Sequence, residues 1–558
     1  MAEESKGNNF PLNPYRSDPE QGGNQQDSPF YQSAAPEIAL PKGGAAMQAI
    51  DEKFSVNAVN GTAGMEIPLP LSPNRQEFTP ALSLQYSSGN GNSVFGQGWQ
   101  LALPSLQRKT DRRLPQYHDA AESDVFLLSG AEDLVPQLKE NGAEDCIEQD
   151  KYSIKRYRPR IEGLFARIEQ IKIKKTGIMW WRVTTKDNIT TWYGLDAASR
   201  IADPDNPRRI YKWLPTLSID HKGNAQQYHY IQENLDNVPK FLFENNRLNG
   251  HAVFTNTYLK KVSYGNTTPY FLATHDDVFK PELPETDWLF ELLFDYGDHS
   301  ALAYEADQIW PCRKDAFSYY KAGFEIRTYR KCERILMFHQ MVELREGRPT
   351  LVRSLELTYQ NDALSEHLLA SDFLLKAVQK GYQWTFDEQV NEWQVKTKSM
   401  PALCMEYSAV TWDFAIQTVA KEEMSEAPQG LTGPYQWIDF EGEGLNGILT
   451  EQGNAWYYKN NLGKAHFSPT RRIAQKPNAT GLGSKSQWQD LDADGSRQLV
   501  VQEAGQSGYW ELEPTQDAYL KEGKWMPFRP FEKQVNIDWN SPHTLRLDLD
   551  GDGRADTL

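Results

Sequence analysis

Only four cysteines occur in 558 residues, Cys146, Cys312, Cys332 and Cys404, and no two form a CxxC pair. A disulfide-dense framework is therefore excluded. The four read as reduced, mostly buried thiols, with a Cys312–Cys332 bridge as the alternative. No apolar run approaches about 18 residues, so no segment has the length of a membrane-spanning helix. The first residues, MAEESKGNNF, contain neither a basic nor an apolar region, and the expectation is a chain without a Sec signal peptide. Positive charge is in deficit. With 59 Lys and Arg against 76 Asp and Glu the formal charge is −17. Binding to nucleic acid, which rests on neutralising phosphates, is disfavoured, as is rest on an anionic membrane surface. Motifs for hydrolysis, nucleotide binding and thiol redox chemistry are missing: no HExxH, no GxSxG and no GxxxxGK[ST]. The ten histidines are scattered. Long stretches with the 3.6-residue period of amphipathic helices are few.

What the chain does have is aromatic side chains, including 16 Trp and 26 Tyr. Such rings suit broad β surfaces and sheet-on-sheet packing. Residues 54–108 show short alternating runs split by turn clusters. Leu82, Leu84 and Tyr86 fall on one face of a predicted strand, and Ala81, Ser83 and Gln85 on the other. Gly89-Asn90-Gly91-Asn92 and Gly96-Gln97-Gly98 supply the backbone freedom that tight turns need. Strand patterns recur to about residue 410. Ile168–Lys174 alternates. Ile178–Thr185 and Ile189–Tyr193 flank a Lys186-Asp187-Asn188 hairpin signal. Leu259–Tyr264, Trp288–Tyr296 and Arg353–Tyr359 also read as strands. Phe317–His339 has the length of a helix, yet Phe324, Ile326 and Thr328, then Ile335 and Met337, fit alternation better.

Asn60-Gly61-Thr62-Ala63-Gly64, the Pro-rich strand after it and Phe95-Gly96-Gln97-Gly98-Trp99 together resemble the start of the SpvB-type domain. That domain also opens the B component of the insecticidal toxin complexes (Tc toxins). Gly-Phe-Glu (323–325), Arg327-Thr328 and Leu336-Met337-Phe338-His339 resemble a second segment of the same family. Asp220-His221-Lys222-Gly223-Asn224 with Tyr228-His229-Tyr230 is similar to a YD/RHS-type hairpin.

Beyond about residue 411 a long-period repeat begins. Asp439, Asp490 and Asp548 are 51 and 58 residues apart, each followed by Asp/Glu/Gly-rich residues. Trp456 and Trp510 follow the first two anchors by 17 and 20 residues. One small sheet per repeat is expected. The pattern resembles FG-GAP/VCBS-type blades of β-propellers. Since a closed propeller needs about four blades, the expectation is either a fragment of a longer protein or a truncated gene. The fold expected is all-β, in three parts. Residues 1–45 form a flexible polar tail, 46–410 an SpvB-like shell domain of large antiparallel sheets, and 411–558 the opening blades, incomplete in the third repeat.

Candidate site residues are carboxylates. Asp548, Asp550, Asp552 and Asp556 share one tight loop in which Gly553 permits the bend, an arrangement able to wrap a hard cation such as Ca²⁺. Asp490, Asp492 and Asp494 offer three carboxylates, with Gln498 where a fourth would stand. Val501 occupies the place of an EF-hand's closing glutamate, so that motif is rejected. The alternative for both loops is an Asp/Gly turn that bonds its own backbone. A bound metal would stiffen a blade; no catalytic cofactor is required. Cys332 and His339 invite a nucleophile–base reading, but an offset of seven sets them on opposite faces of a continuous strand. Arg327, Arg330 and Arg334 read as ion-paired surface or interface groups.

The resemblance implies a non-enzymatic toxin-complex component, folded in the bacterial cytoplasm and then found outside the cell. The family's B component and its C partner build a hollow β shell around the toxic part of C, and the B propeller docks on the channel-forming A component. The partners implied are those two proteins, with no nucleic acid and no direct membrane insertion. A calcium-dependent surface binding module is one alternative. The N-terminal part of an SpvB-like ADP-ribosyltransferase is another, although Glu441-Gly442-Glu443 is an isolated Glu-x-Glu without that enzyme's other motifs.

Overall fold

The computed structural model describes residues 53–558 apart from 57–61, 111–113, 130–131, 164, 251–253, 273–277, 364–370, 409–414, 417, 424–434, 441–443, 474–475, 478–485, 492–496, 504–505, 513–524, 534–536, 538–540 and 548–555. The predicted tail, 1–45, lies outside the described residues. Four strands, β1 (Lys53–Val56), β2 (Ala63–Pro68), β3 (Ser83–Ser87) and β4 (Trp99–Leu101), pair in sequence order as an antiparallel sheet. Alternation sets its faces as expected: Leu82 and Leu84 are buried, and Tyr86 packs against the same core.

The next strands are β5 (Leu106–Arg108), β6 (Phe126–Leu128), β7 (Glu132–Pro136), β8 (Cys146–Glu148), β9 (Tyr152–Pro159), β10 (Arg167–Ile173), β11 (Met179–Thr184), β12 (Thr190–Tyr193), β13 (Arg200–Ala202), β14 (Ile210–Trp213) and β15 (Pro215–Ile219). Antiparallel pairing runs β5–β6–β7–β9–β10–β11–β12–β15. Strand β15 continues β14 through Leu214, and β14 pairs back on β5. The sheet thereby closes on itself, which removes its exposed edges. Inward residues from β5, β6, β7, β9, β10, β11, β12 and β14, among them Phe126, Tyr157, Trp181 and Trp213, form one buried cluster. Trp181 stands 5.0 Å from both Phe126 and Tyr157. The interior is filled by rings, so this barrel is a packed core and not a channel.

From β15 the same sheet runs outward as a wall. It adds β16 (Ala225–Gln232), β17 (Thr257–Asn266) and β18 (Trp288–Asp295). A small separate hairpin follows, β19 (Phe317–Tyr319) with β20 (Ile326–Thr328). The wall resumes with β21 (Arg334–His339), β22 (Thr350–Tyr359), β23 (Leu374–Asp387), β24 (Glu392–Ser399) and the short β25 (Leu403–Cys404). Pairing is antiparallel throughout, in the order β15–β16–β17–β18–β21–β22–β23–β24. Period-two alternation gives the wall two apolar faces. Ile335 and Met337 of β21 join the large core under the N-terminal sheet, while Leu336 and Phe338 join a second cluster behind it. Phe317–His339 is thus strand and hairpin, as its alternation predicts.

The remaining strands are β26 (Tyr435–Ile438), β27 (Gly447–Gln452), β28 (Ala455–Lys459), β29 (Asn461–Gly463), β30 (His466–Phe467), β31 (Arg471–Arg472), β32 (Ser486–Gln489), β33 (Gln498–Glu503), β34 (Gln506–Trp510), β35 (Arg529–Pro530), β36 (Arg546–Leu547) and β37 (Asp556–Thr557). Two four-stranded antiparallel sheets result, β26–β27–β28–β31 and β32–β33–β34–β35. They share one core of Ile438, Leu449, Trp456, Tyr458, Leu499, Val501 and Trp510. One sheet per repeat is what the Asp439 and Asp490 anchors predict. The spacing of the tryptophans misleads, however. Trp437 pairs with Ile448 and Ile448 with Lys459, as Trp488 pairs with Leu499 and Leu499 with Trp510, so Lys459 and not Trp456 takes the place of Trp510.

Candidate functional site

No described group forms a complete nucleophile–base–orienter set. Cys332 has no exposed surface, and burial pushes its thiol well above the ordinary value. A thiol held protonated in this way is a poor nucleophile. The expected opposition of Cys332 and His339 is corrected: β21 begins at Arg334, after Cys332, and the chain before it is not regular strand. Cys332 enters the core that Ile335 and Met337 enter, and the His339 ring lies 5.0 Å from Phe290 of that same core. His339 Nε2 meets Ser72 Oγ at 2.7 Å. Ser72 is also tied through its backbone, which donates its N–H to the Tyr264 hydroxyl and accepts from it. Among the described residues no carboxylate bonds His339, so this contact pins the N-terminal segment to the wall. The thiols differ from expectation as well. All four are free, but only Cys332 is buried; Cys146 and Cys312 are part-exposed and Cys404 is exposed.

The three arginines are ion-paired, as expected, but two of them are interior and not surface groups. Arg330 has no exposed surface; its Nε donates to Glu233 at 2.9 Å and its guanidinium lies 4.4 Å over the Trp310 ring. Its remaining donors reach the carbonyls of Asn234, Asp236, Trp310 and Pro311. Arg327 pairs with buried Glu244, which also accepts from Tyr329. Arg334 holds Asp295 at 2.6 Å. Sequence reading passed over Glu233 and Glu244 because Glu233 lies 97 positions from Arg330. No local pattern marks a pair that only the fold brings together.

Of the predicted metal ligands, Asp490 directly follows β32, and the neighbouring Leu491 N–H donates to Gln498 Oε1 at 2.8 Å. Asp492, Asp494, Asp548, Asp550 and Asp552 lie outside the described residues. Asp556 contributes backbone to β37, which pairs with β36 across the ends of the Asp548 loop. Asp439 accepts the Gly444 N–H at 2.7 Å, which is the self-bonded turn weighed against metal binding. Among the described residues no cluster of three metal-ligating side chains occurs.

The wall itself ends in an unusual surface. Strand β23 is paired to β22 only up to Gly381, and its outer half is held by β24 alone. Trp384 braces the hairpin through Nε1–H to the Leu351 carbonyl at 2.8 Å. Phe386, packed 5.3 Å from Trp393, remains 43 % exposed, and Val390 at the tip 57 %. Among the described residues no strand pairs with the outer edge of β24. A free edge beside exposed Phe386 and Val390 is a surface suited to further β-pairing.

Comparison with known proteins accords with this architecture. The family described as "Salmonella virulence plasmid 65kDa B protein" matches residues 57–341, half of the chain. The mono(ADP-ribosyl)transferase SpvB of Salmonella typhimurium (strain 14028s / SGSC 2262) is 36% identical over 350 residues, covering 60% of this chain and 56% of that protein. The Salmonella dublin protein of the same name is also 36% identical, covering 60% and 55%. The chain thus spans about half the length of the curated relatives it matches. Among solved structures, the N-terminal domain of effector protein SpvB from Salmonella typhimurium strain LT2 matches with TM-score 0.50 and 35% identity, over 57% of this chain and 98% of that one. A chain of the Photorhabdus luminescens Tc holotoxin pore matches with TM-score 0.59 and 28% identity, over 95% of this chain and 24% of that one. A TcdB2-TccC3 crystal structure without the hypervariable C-terminal region gives TM-score 0.59 and 27% identity, over 88% and 22%.

Proposed function

The chain belongs to the SpvB family, and from that premise we propose that it serves as wall and coupling element of a secreted toxin complex, without catalysing a reaction itself. The observation that carries this reading is the likeness to the Tc holotoxin chain over 95% of the sequence, through barrel, wall and repeat sheets alike. The wall's free β24 edge, with exposed Phe386 and Val390, is the place where a C-type component completes a shell around its toxic segment. The paired four-stranded sheets after Tyr435 are the first blades of a propeller that docks on a channel-forming A-type component. The parts act as a tail at 1–45, a shell at 46–410 and blades at 411–558, and the assembly works outside the producing cell. Asp548, Asp550, Asp552 and Asp556, and more weakly Asp490, Asp492 and Asp494, hold structural Ca²⁺ that stiffens the blade turns.

The direct test mixes the protein with purified C-type and A-type components and follows size on a calibrated column and by electron microscopy. A stable complex enclosing the C segment is expected. Failure to associate with either component overturns the proposal.

A second reading is favoured by the 36% identity to SpvB transferases: the chain is the N-terminal β region of an effector with a transferase domain elsewhere. Labelling of host proteins from NAD by the full-length protein would select this reading.

A further inference from the structure

Where the N-terminal segment, the barrel and the wall meet lies a cavity of about 230 Å³. Tyr230, Tyr258 and Tyr296 line it from the wall, Phe95 from the N-terminal segment, Tyr319 from the β19–β20 hairpin and Lys212 from β14. Among the described residues no aspartate or glutamate lines it. Most of its polar groups are already engaged. The Tyr230 hydroxyl donates to the Pro215 carbonyl at 2.7 Å and that of Tyr296 to the Leu259 carbonyl at 3.0 Å. Tyr258 donates to Glu233, and the Asn256 amide to Arg327 O and Thr328 Oγ1.

Two lining groups differ. Among the described residues neither the Lys212 ammonium nor the Tyr319 hydroxyl has a hydrogen-bond or ion-pair partner. Burial lowers the pKa of Lys212, and burial, then neighbouring Tyr211, raises that of Tyr319. Both residues are half-buried, and an ammonium that faces a recessed cavity with no counter-charge among the described residues is partly desolvated at a cost; it brings three donors and no acceptor. An anion supplies what is missing. A single water needs roughly 10–15 Å³ of such space, and drug-sized pockets start near about 300 Å³. The space therefore suits a short molecule.

We propose that this cavity binds a small organic carboxylate with a short apolar tail. The carboxylate oxygens accept from Lys212 and Tyr319, and the tail lies against the tyrosine rings. This site is independent of the shell reading and would hold a ligand whether or not the protein assembles.

The probe is hexanoate, titrated calorimetrically into the 558-residue chain, with hexanol and hexylammonium as controls of equal length. Hexanoate is expected to bind at least tenfold more tightly than hexanol, and hexylammonium not to bind. Lys212→Met should lose at least tenfold in hexanoate affinity, and Tyr319→Phe a smaller factor. Circular dichroism checks each variant's fold. If Lys212→Met does not fold, the comparison of hexanoate with hexanol and the Tyr319→Phe titration decide. No hexanoate binding, equal binding of hexanol, or unchanged affinity in a folded Lys212→Met overturns the site.

Discussion

Arg330 and Glu233 meet in a 2.9 Å ion pair in which neither side chain has any exposed surface. Removing one partner strands a charge in the interior. Glu233→Ala is expected to cost about 3–5 kcal/mol, whereas replacing both groups by apolar residues of similar volume costs less than the single changes summed. Denaturant titration of the singles and of Arg330→Met/Glu233→Leu measures this. A single change costing under about 1 kcal/mol would refute the buried pair as a keystone.

The turn before β4 depends on a left-handed glycine. Gly98 has φ +80°, and a Cβ there would stand 2.4 Å from the Tyr86 ring. Gly98→Ala should destabilise by more than about 1 kcal/mol through backbone strain and steric overlap together. Gly91 provides the control, because a Cβ at that position meets nothing within 4 Å. Equal unfolding midpoints for the two alanine variants would contradict this account.

Barrel and hairpin aromatics should separate stability from assembly. Trp181→Ala empties the middle of the barrel cluster, and a loss of about 3–5 kcal/mol is expected. Phe386→Ser, on the exposed hairpin, should leave the midpoint within about 0.5 kcal/mol yet weaken association with a C-type component. Calorimetry gives the first quantity and a pull-down titration the second. An assembly defect from neither hairpin residue, Phe386 or Val390, would remove the hairpin from the interface.

Acid should loosen the clamp between the N-terminal segment and the wall. Burial, then Arg353, lowers the pKa of His339 below its ordinary 6.5. The unfolded chain therefore takes the proton first. Stability is complete above about pH 6.5 and declines as pH falls from there through the lower folded value. His299 is shifted the same way, by burial first, so the comparison is with the variant. His339→Gln should flatten part of the decline between pH 7 and 5 in thermal melts. An unaltered slope would show that His339 carries none of it.

Calcium should raise the melting temperature of the repeat region, with reversal by chelator and loss in Asp548→Asn/Asp550→Asn. No shift at millimolar Ca²⁺ leaves the turns self-bonded, as at Asp439.

Much of this architecture was legible in the linear order of residues, because alternation is a local property. Leu82, Leu84 and Tyr86, or Ile335 and Met337, declare a face by period two wherever they fold. Repeated Asp anchors likewise declare one sheet per unit. Tertiary structure decided what depends on distance in sequence. It joined Arg330 to Glu233, gave His339 a serine partner 267 positions away, and moved two arginines from the expected surface to the interior. It also set the register that matches Trp510 with Lys459 and not with Trp456, since a shift of one residue exchanges the faces of a strand. Closure of the barrel through Leu214 belongs to the same class. Pairing of β14 with β5 joins strands about a hundred residues apart, and only packing of the whole ring makes that ladder favourable.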